Sequence, residues 1–343
     1  MKKSTSTPQK QQKEQQSQSQ SHEDEQYYDI IIIGAGISGI GAGYHIQKHC
    51  PNKTFTILEG RDTVGGTWDL FKYPGIRSDS SMETMGYSFK PWQGTQSIAN
   101  GEYILQYMHE TIEEFDLKKH IKCNHMLKSM NFNTNTSQWN LNISQNNNIN
   151  SNRESKRPTR SPLKRTNNNT TNTNTTSNTN TSNTLNMKCS FVLLCTGYYD
   201  YESGYSPIFE GMENFRGPII HPQNWPEDLN YSNKRIAIIG SGATAVTLLP
   251  VLAQTATHVT MIQRSPTYIA SVPSSDPFVY LTRTIFPSQV AAFLNRWYSI
   301  LVSVVFYYLC IWFPIGIKGI LQYLIKQDVA CDDEYIKEHF NPK

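Results

Sequence analysis

The feature that most constrains this chain is a strand, glycine turn and helix unit that occurs twice. Residues 27–33 (YYDIIII) run straight into Gly34-Ala35-Gly36-Ile37-Ser38-Gly39, and a helical stretch then leads to a second strand, TFTILE, at 54–59. The same order returns at 235–264, where RIAIIG leads into Gly240-Ser241-Gly242-Ala243-Thr244-Ala245-Val246 and then into HVTMIQRS. Glycine at the first motif position permits a tight turn, at the second a close backbone approach to a pyrophosphate, and at the third close packing of helix on strand. Gly34, Gly36 and Gly39 fill those positions in the first unit; Gly240, Gly242 and Ala245 fill them in the second, where alanine is tolerated. The helix that follows offers unpaired N–H groups and a positive dipole end to an anion, and Ser38 sits in that first turn. The predicted fold class is therefore α/β, with two Rossmann-like dinucleotide-binding domains.

What closes the next strand tells the two units apart. Glu59 stands 20 residues beyond Gly39, where a carboxylate can accept hydrogen bonds from ribose hydroxyls. Arg264 and Ser265 occupy the matching place in the second unit. A guanidinium there can hold a 2′-phosphate that a carboxylate would repel, so the second nucleotide is expected to be NADPH, not NADH. Two such units in one chain point to a flavin, FAD, reduced by a nicotinamide.

The rest of the chain sets the boundaries. A Gln/Ser-rich tail occupies 1–26, and the FAD-binding domain is expected over 27–143 and 187–199, with 191–197 (FVLLCTG) as another buried strand. An Asn/Thr-rich excursion at 144–186 separates its two parts, since such a composition supplies no core. A linker at 200–234 precedes the first part of the NADP-binding domain at 235–275, and an apolar helical segment fills 276–343. The formal net charge of +3 is local: residues 153–165 hold six basic side chains against Glu154, and the remainder sums to −2. That pattern is a solvated excursion, not a nucleic-acid face. Six cysteines without a CxxC spacing argue against a disulfide framework or a metal site. The N-terminus has no apolar run behind its charges, so the chain is expected to be intracellular and not secreted. Trp297 to Ile317 is a run of 21 uncharged residues, a transmembrane candidate by length, with Pro314 and Gly316 favouring instead a broken, buried helical hairpin. The location is then cytoplasmic or attached to an intracellular membrane.

Further runs carry a resemblance to one family. Residues 215–226, FRGPIIHPQNWP, fit the pattern FxGxxxHxxxWP through Phe215, Gly217, His221, Trp225 and Pro226. With ILEGRDTVGGTWDLFKYPGIRSDS (57–80) and IGSGATAVTLLP (239–250), this resembles the Baeyer–Villiger branch of the class B flavoprotein monooxygenases, most closely its ethionamide-activating group. The family is related to the flavin-containing monooxygenases, which usually carry Tyr or Phe where Trp225 stands. The likeness is dense over 27–143 and 187–275 and loose beyond.

The resemblance implies site residues and chemistry. Ser38, Glu59, Gly66, Thr67, Trp68, Asp69 and Leu70 would line the FAD, with Leu127 meeting its adenine end through the backbone. Arg77, Ser78 and Asp79 would lie by the flavin ring and the nicotinamide, and Gly240 to Val246 with Arg264 and Ser265 would hold NADP. His221 and Trp225 would act through cofactor placement, not as a base. In the family NADPH reduces FAD, and a flavin peroxide formed with O₂ carries one oxygen atom to a ketone, giving an ester, or to a sulfur or nitrogen compound. Asp79 would orient the cation that favours the peroxide anion. That cation is an arginine in a run like NPWxQR after a segment like HFxPxY, and this sequence reaches only Glu338-His339-Phe340-Asn341-Pro342-Lys343. The expectation is accordingly of an FAD domain truncated at its C-terminus, with an NADPH oxidase-like flavoprotein or an inactive, membrane-attached remnant as alternatives.

Overall fold

The structure is a computed structural model that describes residues 26–145, 183–269, 273–329 and 332–342. The tail before Gln26, the basic run at 153–165 and Cys331 lie outside the described residues. The described chain divides into two compact units.

The first unit holds 26–34, 45–62, 120–145 and 183–195. Its strands are β1 (Gln26–Ile33), β2 (Phe55–Leu58), β3 (Ile121–Lys122), β4 (His125–Asn133), β5 (Gln138–Gln145) and β6 (Asn183–Leu194), in the sheet order β3-β2-β1-β6-β5-β4. β1 pairs in parallel with β2 and β6, while β5 pairs antiparallel with β4 and β6. Met187 shows how the two halves join, since it lies opposite Gln26 on one side and Leu141 on the other. Alternate residues of three strands then share one face: Ile31 and Ile33, Leu141 and Ile143, Met187 and Cys189 form a buried core with Leu58. The β4–β5 turn follows from Asn133, whose side-chain oxygen accepts the N–H of Asn135 at 3.0 Å and leaves Ser137 at φ 53°. At the sheet's end the Asp29 carboxylate accepts from Thr54 N at 2.8 Å, Thr54 Oγ1 at 2.9 Å and Lys53 Nζ at 3.0 Å, tying β1 to the entry of β2.

Three strand expectations need correction. Only Ile31–Ile33 of the first strand are buried, whereas Tyr27 is 46% exposed and shares a hydrogen bond with Ser190. The 191–197 segment is not a buried strand throughout. Beyond Cys189 no β5 residue pairs with β6, and Phe191 and Leu194 are exposed. The polar excursion is also shorter than its composition suggests, because Gln145 pairs with Asn183 and the β5–β6 ladder extends through Asn and Thr residues to its very end. Polar side chains are no obstacle to a ladder whose bonds are made by the backbone.

The second unit holds 35–44, 63–119, 196–269, 273–329 and 332–342. Its helices are most of α1 (Ile37–His49), then α2 (Thr67–Leu70), α3 (Met82–Met85), α4 (Gly101–Glu114), α5 (Ala243–Leu252), α6 (Pro277–Ile285), α7 (Ser288–Trp312), α8 (Pro314–Val329) and α9 (Asp333–His339). Ile104, Tyr107, Met108, Thr111 and Ile112 make the buried stripe of α4 at helical spacing. An aromatic cluster packs around it: Tyr44 stacks on Phe89 at 3.5 Å, Phe89 on Tyr87 at 4.7 Å, and Tyr87 on Tyr107 at 5.6 Å. A side chain at Gly41 would strike Tyr87 at 2.8 Å, and the Tyr87 hydroxyl donates to Ile37 O at 2.6 Å. The second glycine turn lies between β7 (Arg235–Ile239) and α5, and β8 (His258–Ile262) pairs with β7 in a two-stranded parallel sheet.

The uncharged 297–317 run is not one helix. Phe313 leaves helical geometry at φ −129° and ψ 53°, and Pro314 opens α8, whose missing N–H suits a first turn. Nor is the hairpin buried, since residues 301–308 are exposed around the whole circumference of α7. Among the described residues α7 is the one helix long and apolar enough to cross a membrane. Its Arg296 donates to the carbonyls of Thr84 and Gly86.

Two candidate nucleotide sites

At the first turn Gly34 adopts φ 103°, a conformation that a side chain would strain, and donates its N–H to Leu58 O at 2.7 Å. Ala35 is fully buried and its carbonyl accepts from Gly65 N at 3.0 Å. This bond brings the Gly65-Gly66 pair over the turn, where a Cβ on Gly66 would stand 3.1 Å from Gly36 Cα. Gly66 itself holds φ 54° and ψ −128°, open only to glycine, and caps the four-residue α2 that carries Thr67, Trp68, Asp69 and Leu70. Two backbones thus meet closely, with the Tyr201 hydroxyl 3.4 Å from the same Cβ position on Gly66. Ser38 is exposed in the first turn of α1, and Gly39 beside it is buried. Asp69 accepts from Thr63 Oγ1 at 2.6 Å and faces Lys72 at 3.6 Å, contacts that brace α2.

Glu59 follows β2 and is 4% exposed. Its Oε1 accepts the Arg61 N–H at 3.0 Å, and its own N–H and carbonyl bond Lys122 and His125. Leu127 lies in β4 opposite Ile143, where the ladder shifts register before Ser129. Such a bulge frees a backbone group from regular pairing.

Arg77, Ser78 and Asp79 occupy one edge of an irregular ribbon. Arg77 bridges to Asn100, and Ser78 N donates to Ala99 O at 2.9 Å. Ser78 is buried with its hydroxyl donating to Ser80 O at 2.7 Å, whereas Arg77 and Asp79 are exposed. The residues leading into this segment rest on α5. Gly75 lies at φ 77°, and a Cβ there would meet Val251 Cγ2 at 2.6 Å and Thr247 O at 3.4 Å. Burial raises the Tyr73 phenol above its ordinary pKa, and a polar contact from the Thr244 side chain pulls against that shift.

At the second turn Gly240 adopts φ 121° and its N–H donates to Ile262 O at 2.8 Å, the counterpart of the Gly34–Leu58 bond. Gly242 caps α5, Val246 N returns to Gly242 O at 3.0 Å, and Ala245 is buried at the third glycine's place. A Cβ at Gly240 or Gly242 would meet nothing within 4 Å, so the space before α5 is open. Ser241 and Thr244 are half-buried and Ala243 is exposed. Arg264 and Ser265 are exposed immediately after β8.

The fingerprint segment is a structured turn. His221 Nδ1 accepts the Gln223 N–H at 3.2 Å, which places the proton of a neutral ring on Nε2. The ring lies against the backbone of Gly204, where any Cβ would meet it at 2.2 Å. Gln223 is buried and donates to Asp200 O at 2.6 Å, and Trp225 packs edge-on to Tyr231 at 6.3 Å. Phe215 is 63% exposed, and its ring lies 2.7 Å from where a Cβ on Gly217 would be. Pro226 accepts from Leu229 N at 3.2 Å. Gly204, Gln223 and Asp200 were not singled out in the sequence, because nothing local marks a glycine that exists to admit a distant histidine.

Comparison with known proteins bears on both turns. Residues 164–309 match a family described as flavin-binding monooxygenase-like, and 32–93 match an NAD(P)-binding Rossmann-like domain. The FAD-containing monooxygenase EthA of Mycolicibacterium smegmatis is 41% identical over 319 residues, covering 93% of this chain and 58% of that protein. The probable FAD-binding monooxygenase AlmA of Acinetobacter baylyi is 43% identical over 274 residues, covering 79% and 48% respectively. This chain therefore spans about half the length of these curated relatives. An oxidised steroid monooxygenase solved with NADP is 24% identical and shares the fold at a TM-score of 0.55, over 75% of this chain and 42% of that one.

Proposed function

This chain belongs to the flavin-binding monooxygenase-like family, and from that premise we propose that it binds FAD at its first glycine turn and NADPH at its second, in the service of oxygenating a small molecule. The observation that carries the reading is the pair of glycine turns themselves, each with a left-handed first glycine bonded to the end of the following strand. Both fit a dinucleotide, by the bare backbones of Gly36 and Gly66 at one and by the open space before Gly242 at the other.

Bound FAD would supply hydride acceptance from NADPH and activation of O₂ for oxygenating a ketone or a sulfur or nitrogen centre. The protein's own residues hold and shield. Gly36, Ser38 and Gly39 would give the pyrophosphate N–H donors and a helix N-terminus, with Gly34 making the turn. Glu59 would hold ribose hydroxyls and Leu127 the adenine end through its backbone, and Gly66 to Leu70 would line the FAD. Ser241 to Val246 would hold the second pyrophosphate, with Arg264 and Ser265 on the 2′-phosphate. Arg77 and Asp79 would set the field near the reacting groups, Asp79 by orienting a cation. His221, with Nδ1 occupied by a backbone N–H, would act by holding its turn and not as a base. The reading places the protein inside the cell, where NADPH is supplied.

The test is to purify the chain, measure bound FAD by absorbance, and follow anaerobic bleaching of the flavin by NADPH and by NADH. Bleaching by NADPH in preference to NADH is expected. A chain that takes up neither nucleotide would overturn the proposal. NADPH consumption that yields H₂O₂ with every ketone and thioether tried would remove oxygenation and leave an oxidase.

A further inference from the structure

The 274–296 stretch grips the loop 83–98 at several points. Ser274 O accepts the N–H groups of Ser97 at 2.8 Å and Ile98 at 3.4 Å. Arg283, from α6, donates to Glu83 Oε1 at 2.8 Å, to Trp92 O at 2.9 Å and to Gly94 O. Arg296, from α7, donates to Thr84 O at 3.5 Å and to Gly86 O. The two helices are locked together by a buried contact, Thr282 Oγ1 to Asn295 Oδ1 at 2.5 Å. Glu83 has a side chain only 3% exposed. Burial raises its pKa, Arg283 and Arg296 pull it down, and Asp276 pushes it up.

The loop closes on the ribbon that carries Arg77 to Asp79. Gly101 N donates to Ile76 O at 2.9 Å, Ser78 N to Ala99 O at 2.9 Å, and Met82 N to Ser97 O at 2.7 Å. Ser97 thus joins Ser274 to Met82, the first residue of α3, and the neighbouring Ala99 and Gly101 carry the same strand of contacts on to Ser78 and Ile76. A guanidinium suits this task because its donors lie in one rigid plane and fix orientation as well as distance, which an ammonium on a flexible stem does not.

We infer that Arg283, backed by Glu83 and Arg296, is a positioning residue that holds loop 83–98 so that the ribbon bearing Arg77, Ser78 and Asp79 keeps its place. Its functional half rests on the proposed reading of Arg77 and Asp79 as residues between the two cofactors. Its structural half stands without any cofactor.

The experiment is hydrogen–deuterium exchange on the full chain, comparing wild type with Arg283→Met and Arg283→Lys. Exchange of the Ser78, Met82 and Gly101 amides is expected to rise roughly tenfold in Arg283→Met, together with the 83–94 loop, while Ile31 and Leu193 amides stay protected. Arg283→Lys keeps a charge beside Glu83 and so preserves the fold, yet loses the fork, and an intermediate rise is expected. Ribbon amides that exchange as in wild type in Arg283→Lys would overturn the inference, whatever happens in the loop. With FAD and NADPH present, hydride transfer should slow by about tenfold at unchanged FAD content, because misplacement from a distant site costs rate before it costs binding. A wild-type chain that takes up no FAD would sink the flavoprotein reading alone, since the exchange comparison needs no cofactor.

Discussion

The two glycine turns share a backbone and differ in what surrounds them. Gly34 and Gly240 both hold positive φ and both donate to the end of the next strand. At the first turn a Cβ on Gly36 would stand 3.7 Å from Gly66 Cα, and one on Gly66 3.1 Å from Gly36 Cα, while the second has nothing within 4 Å of a Cβ on either motif glycine. The strands behind them differ in the same sense. Ile31 to Ile33 are buried in a six-stranded sheet, and Ile239 and Ile262 of the two-stranded one are more than half exposed. A fingerprint therefore specifies the turn, and its neighbours decide whether a glycine there serves packing or ligand access.

That comparison can be broken most directly by adding one methyl group at each turn. Gly66→Ala meets both a disallowed conformation and Gly36, and should destabilise the fold by about 3 kcal/mol in a denaturant titration. Gly242→Ala, at φ −77° with open space ahead, should leave stability within about 0.5 kcal/mol and weaken only NADP binding. Equal losses of stability from the two substitutions would show that the second turn is as crowded as the first.

A smaller effect tests which nucleotide the second turn prefers. Arg264→Glu should cost about 2 kcal/mol of the preference for NADPH over NADH, or roughly thirtyfold in the ratio of their dissociation constants. Isothermal titration with both nucleotides would measure it, and an unchanged ratio would remove Arg264 from the site. Smaller again is Thr244→Val, which removes the polar group facing the half-buried Tyr73 hydroxyl. Melting should report a loss of about 1 kcal/mol, with faster exchange at residues 73–75.

The smallest expected effect lies in the first unit and depends on pH. The Asp29 carboxyl is held at about 2, below its ordinary 3.8, chiefly by the Thr54 N–H and then by Lys53 and the Thr54 hydroxyl. A depressed folded-state value means that its contribution is complete above the ordinary value and fades as pH falls towards the lower one. Wild type should thus lose melting temperature over that interval more steeply than Asp29→Asn, and parallel curves would exclude the carboxylate as a pH-dependent tie.

Much of the architecture was legible because it is local. Period and glycine spacing located β1, β2 and β7 to within a residue and the start of β8, whose end falls three residues short of Ser265, since a turn that needs positive φ announces itself by glycine. The low-complexity stretch was harder to bound, because a ladder made by backbone groups can continue into Asn and Thr without a change of composition. The apolar run at 297–317 was read as a span or a buried hairpin. Its break at Phe313 and Pro314 was foreseeable, and its exposure was not.

By itself the sequence determined that two dinucleotide-type turns form, which residues stand in them, and which charge closes each: a carboxylate at Glu59 and a guanidinium at Arg264. Those are properties of φ, of strand alternation and of side-chain type, all carried by neighbours in the chain. Only the tertiary structure decided that Gly66 crosses the first turn, that Gly204 exists to seat His221, and that Arg283 reaches back 200 residues to Glu83. The isolated cations Arg283 and Arg296 in an apolar stretch were the one hint of the last. Such contacts depend on where separate segments come to rest, and no local preference of either segment records its partner.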